Sequence, residues 1–223
     1  MIPLRDSARS SSVPIVSYTI IAACAAVFLY TEAMSEEARA AFYAAYGAIP
    51  RVVVGGPWPQ AGLGLLTYNF LHGSWLHLLG NMLYLWIFGD NVEDAMGRGR
   101  FVVFYLLSGA IAALVHILTQ RASGVPLVGA SGAIAGVLGA YLVLYPRARV
   151  LSLVFFGWFI RVVELPAMLV LSLWFILQVL EGLLSLASPD VVTVAFWAHV
   201  GGFIAGVALV RPFVSRPREG WTG

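Results

Sequence analysis

A serine set between glycines, Gly129-Ala130-Ser131-Gly132, is where chemistry is most readily placed in this chain. A hydroxyl becomes a nucleophile when a base takes its proton, and the carbonyl it attacks then needs donors for its developing negative oxygen. His199 is the candidate base. His77 and Asn81, four residues apart and so on one helix face, are the candidate donors. In a chain with 23 glycines the tetrad is weak alone, so the reading depends on whether the fold brings these four side chains together.

The composition says what kind of fold that is. With 60% hydrophobic residues, 11% charged residues and a mean hydropathy of +0.87, the chain is expected to be an integral membrane protein, all-α and polytopic. The basic residues are all Arg, scattered singly or in pairs, so no nucleic-acid partner is implied. Cys24 is the only cysteine and reads as a small core residue, which excludes an intramolecular disulfide and a thiolate metal cluster. No metal or cofactor is expected.

Six spans fit the length. The first covers about Pro14 to Met34, and its apolar run is too long for a removed signal peptide. Ser35 to Trp75 mixes charges with Trp and Tyr and reads as an interfacial segment. The second and third spans run from about Leu76 to Met96 and Phe101 to Thr119. A Gly- and Pro-containing loop then leads to a fourth helix, Ser131 to Tyr145, stopped by Pro146. Arg147 to Val163 is apolar but broken by Gly157 and Arg161, and its conformation is left open. The fifth span is about Glu164 to Leu186, followed by a turn at Ser188-Pro189-Asp190. The sixth is about Val192 to Val210, closed by Arg211-Pro212. The expected organisation is a cytoplasmic segment 1–13, a six-helix membrane domain 14–211 and a cytoplasmic tail 212–223.

Arginines give the orientation. With the N-terminus inside, Arg5, Arg9, Arg98, Arg100, Arg147, Arg149, Arg161, Arg211, Arg216 and Arg218 are cytoplasmic, leaving Arg39, Arg51 and Arg121 outside. Both termini are thus expected in the cytoplasm, and the second, fourth and sixth spans start at the outer face. His77, Asn81, Ser131 and His199 all stand near those starts. A fourth helix of about fifteen residues reaches only ~22 Å of a ~30 Å hydrocarbon core, which sinks Ser131 below the outer surface. Asn81, ~22 Å above the inner boundary, and His199, ~18 Å above it, match that depth within about one turn. Irregular backbone at such depth must be buried in protein or line water, so a cavity opening outward is expected.

Small residues imply close approach. Ser131, Ala135 and Gly139 recur on one face of the fourth helix, with Gly132 and Gly136 beside them, while His199, Gly202 and Gly206 share a face of the sixth. The N–H groups at the start of the fourth helix add donors and a positive dipole end. No acid stands near the outer end of the sixth span, so a Ser-His dyad is expected, with Glu181 as the candidate third member. His116 reads as a helix-contact hydrogen bonder.

At these residues the sequence resembles the rhomboid family of intramembrane serine proteases, of the bacterial six-span type. The matching stretches are Phe70-Leu-His-Gly-Ser-Trp-Leu-His-Leu-Leu-Gly-Asn-Met82, Phe88-Gly-Asp-Asn-Val-Glu93, Val128-Gly-Ala-Ser-Gly-Ala-Ile-Ala-Gly136 and Ala198-His-Val-Gly-Gly202. The resemblance implies that Ser131 is the nucleophile and His199 the general base. His77, Asn81 and the Ser131 N–H become the oxyanion site. Gly129 shapes that hole, Gly202 and Gly206 make a close-packing contact, and His72 and Glu93 have supporting roles.

The resemblance further implies single-span membrane proteins as substrates, entering beside the fifth span, and a prokaryotic plasma membrane as the location. Two departures stand out. The interfacial stretch Leu63-Gly64-Leu65-Leu66-Thr67 lacks the family's Trp-Arg pair, and Ala135 stands where some members place a Tyr stacked on the histidine. His199 must then be held by Trp197 or by the fifth span. An inactive client-binding relative and a transporter are the competing readings.

Overall fold

The computed structural model describes residues 1–156, 159–187 and 194–215. The apolar runs fold as helices: α1 (Ile15–Glu32), α5 (Trp75–Met96), α6 (Arg98–Thr119), α7 (Ser131–Leu144), α8 (Ala167–Ala187) and α9 (Phe196–Phe213). Between α1 and α5 lie three short helices, α2 (Glu36–Tyr46), α3 (Pro50–Gly55) and α4 (Trp58–Thr67), and a 3-10 turn, Tyr68–Phe70. Among the described residues, four helices, α1, α6, α8 and α9, are long and apolar enough to cross a membrane. Helix α7 is apolar but shorter, as expected, and α5 has the length but ends in Asp90, Glu93 and Asp94.

The molecule is mostly helical, with one addition. The stretch left open by the sequence folds as a hairpin, β2 (Arg149–Phe156) and β3 (Phe159–Pro166), and β1 (Ile2–Asp6) pairs antiparallel with β2 to give the order β1-β2-β3. The run is rich in Val and Phe, which suit a pleated surface. Helix α9, the expected sixth span, also departs from expectation: it passes through Pro212 to Phe213. A proline in a last turn removes only one donor and need not stop the helix there. The turn expected at Ser188-Pro189-Asp190, the expected span start at Val192 and the tail arginines Arg216 and Arg218 lie outside the described residues.

Helix α7 is the centre, buried from Gly132 to Tyr141. Its glycines set how near its neighbours come. A Cβ on Gly202 would run into the Gly132 carbonyl oxygen, and one on Gly206 into that of Gly136. Backbone thus meets backbone along the α7/α9 seam, the close packing that small residues permit in a membrane.

The last turn of α5 is a fastening point. Pro14 offers no side-chain cap to α1, and the buried Glu93 carboxylate fills that place, accepting from Val16 N–H at 3.0 Å, Ser17 N–H at 2.8 Å and the Ser17 hydroxyl at 2.9 Å. Negative charge at a helix N-terminus is the favourable arrangement. Asp94 accepts from the hydroxyls of Ser11 and Ser12, while the Ser215 N–H donates to the Ala95 carbonyl at 3.0 Å.

Candidate active site

Ser131 is the first residue of α7, and the loop before it explains how it gets there. Irregular backbone inside a membrane protein needs partners for its polar groups. Leu127 exchanges two hydrogen bonds with Ala48, of 2.9 and 3.1 Å, and Gly129 N–H donates to the Tyr68 carbonyl at 3.0 Å. The segment ahead of α5 therefore holds the loop in place. Gly129 has φ +129°, and a Cβ there would sit 2.6 Å from the His77 ring. Only a glycine serves at this position.

His199 lies in the first turn of α9, one turn beyond Ala195. Its Nε2 is 2.8 Å from Ser131 Oγ, and its Nδ1 is 2.5 Å from Gln178 Oε1 on α8. The Trp174 ring lies tilted over it at 5.9 Å between centroids. Gln178 and Trp174 are four residues apart on one face of α8 and hold the histidine from behind, the support that the sequence left between Trp197 and the fifth span. Glu181 does not take part: its residue is exposed and Gln178 occupies the place. Three residues along a helix leave Glu181 one turn further on and about 60° round from Gln178, and it is the Gln178 amide that reaches the His199 ring. The visible signal for Gln178 was a lone amide in an apolar span, four residues after a tryptophan.

On the other wall, α5 begins with Ser74, whose hydroxyl caps the helix by accepting from His77 N–H at 3.2 Å. Asn81 is nearly buried and its Nδ2 is 3.0 Å from Nε2 of the fully buried His72. The loop carrying His72 is fixed in turn by the Tyr43 hydroxyl, which donates to its carbonyl at 2.7 Å. This is a tie between α2 and the site that sequence spacing did not reveal.

Ser131, His199, His77 and Asn81 all line one cavity of about 790 Å³. His116 lines it too, contrary to its expected helix-contact role, and its buried Nδ1 has no hydrogen-bond partner among the described residues. Ile134, Ala135 and Leu138 make an apolar floor. Gly202 and Gly206 stand outside the cavity, on the seam with α7, and Glu93 is remote, at the α1 cap. With the hydroxyl donating to Nε2, the geometry is that of a serine with a base in contact and N–H groups of a helix start beside it.

A multi-pass integral membrane protein with a histidine-paired serine at the start of a short central helix is the class defined here. The chain belongs to the rhomboid family: the Rhomboid domain profile matches residues 59–216. It is 33% identical over 157 residues to RHOMBOID-like protein 5 of Arabidopsis thaliana, covering 70% of this chain and 46% of the relative. RHOMBOID-like protein 4 of the same plant is 36% identical over 160 residues, covering 72% and 36%. The mitochondrial presenilin-associated rhomboid-like protein of Mus musculus is 37% identical over 93 residues, covering 41% and 24%. The matched stretch takes up less than half the length of each of these relatives.

Proposed function

We propose that the chain is an intramembrane serine endopeptidase that cuts single-span membrane proteins near the outer face. The 2.8 Å contact between Ser131 Oγ and His199 Nε2 inside a cavity carries this reading. His199 takes the Ser131 proton as Oγ bonds to the substrate carbonyl carbon, whose oxygen becomes negative. His77, Asn81 and the Ser131 N–H donate to that oxygen. His199 then protonates the leaving amine as the C–N bond breaks. Cavity water, deprotonated by His199, attacks the acyl-enzyme and frees Ser131.

The intact serine-histidine pair favours activity over client binding alone, and the apolar floor offers no polar path for a transported solute. In this reading 14–211 is a six-crossing membrane domain, with 1–13 and 212–223 cytoplasmic by the distribution of arginines. The plant and mitochondrial relatives give no support to the expected prokaryotic plasma membrane.

The test is labelling of the full chain in detergent by a fluorophosphonate, together with cleavage of a single-span reporter. Ser131→Ala is expected to abolish both, and His199→Ala to reduce both by ~10³-fold or more. Labelling or cleavage that survives in Ser131→Ala overturns the reading.

A further inference from the structure

We propose that Gln178 is a positioning residue for the base: its amide oxygen fixes the ring tautomer of His199 and supports the charged ring during the reaction. The role of His199 in this inference rests on the reading above. An imidazole can take the Ser131 proton only if Nε2 carries a lone pair, which requires the other proton to be on Nδ1. An amide oxygen can only accept. With Gln178 Oε1 at 2.5 Å from Nδ1, the proton is held on Nδ1 and Nε2 is left open toward Ser131 at 2.8 Å.

Among the described residues, no other group performs this task. The titratable groups among the described residues that act on His199 are His77 of α5 and His116 of α6, neither of them an acid. Glu181 is exposed, one turn further along α8. The two rings against His199, Trp174 at 5.9 Å and Phe196 at 6.4 Å between centroids, limit its tilt but do not choose a tautomer. Gln178 is itself buried, with 9% of its surface exposed. Its oxygen would otherwise lose water without compensation.

The acceptor also comes from a helix that carries neither member of the pair. Ser131 is on α7, His199 on α9 and Gln178 on α8. The ring is therefore held in its working tautomer only while α8 lies against α9. Phe175 stacked on Phe203, with centroids 4.6 Å apart, fixes that contact one helical turn inward.

The chain has four histidines, so ring-15N labelling of the full chain in detergent gives a resolvable spectrum, with His199 assigned by its loss in His199→Gln. The wild type is expected to show the His199 proton on Nδ1. Gln178→Met keeps side-chain length but removes the amide acceptor. It is expected to mix the tautomers and lower kcat on the reporter by about 10- to 100-fold, with KM within about twofold. Gln178→Glu retains an acceptor and is expected to restore the Nδ1 proton and bring kcat to within about fivefold of wild type.

A wild-type ring protonated on Nε2 overturns the proposal, with no variant needed. So does a folded Gln178→Met whose spectrum and kcat match wild type. Should wild-type Ser131 fail to label, the protease reading falls alone, and the ring signals still decide what Gln178 does to His199.

Discussion

Asn81 shows how one side chain is prepared by the residues behind it. Its amide nitrogen carries two hydrogens, and His72 Nε2 at 3.0 Å takes one, leaving the other for the cavity that Asn81 lines. The amide is held before any substrate arrives, so no reorganisation is needed when a carbonyl oxygen gains charge. Asn81→Ala is accordingly expected to lower kcat on a reporter by ~10² to 10³, with KM little changed. Steady-state cleavage rates measure this, and an unchanged kcat would remove Asn81 from the oxyanion site. Gly129 contributes by what it lacks, since any side chain at φ +129° would occupy the space of the His77 ring.

At the scale of elements, the α7/α9 seam sets the distance between nucleophile and base. Gly206→Val places a branched side chain against the Gly136 carbonyl, and overpacking of this kind typically costs ~1–3 kcal/mol. The variant is expected to melt at a lower temperature and to label more slowly, because separating the helices lengthens the Ser131–His199 contact. A wild-type melting temperature and labelling rate would show that the seam has room to spare. The sequence exposed much of this. Runs of apolar residues located the long helices to within a few residues, and the four-residue spacing of Gly202 and Gly206 pointed to a close neighbour. It did not expose the hairpin at 149–166, because an apolar run containing a Gly and an Arg is compatible with helix and strand alike. Gln178 and Glu93 act across 21 and 76 or more residues, and such pairings have no local periodicity to read.

For the whole molecule, the proposed orientation can be checked with the chain's own cysteine content. Cys24 is the sole cysteine and fully buried, so an impermeant maleimide should report only on cysteines that are introduced. In sealed cells, Arg121→Cys is expected to label from outside and Arg147→Cys only after lysis. The reverse pattern would invert the orientation. One constraint on the path is independent of charge. Ser11 and Ser215 are both hydrogen-bonded to the last turn of α5, at Asp94 and Ala95. A chain that leaves one point and returns to the same end of the bundle has crossed it an even number of times. In the proposed membrane arrangement these two contacts place both serines at the same end of the bundle, which fits an even number of passages whichever way the molecule faces.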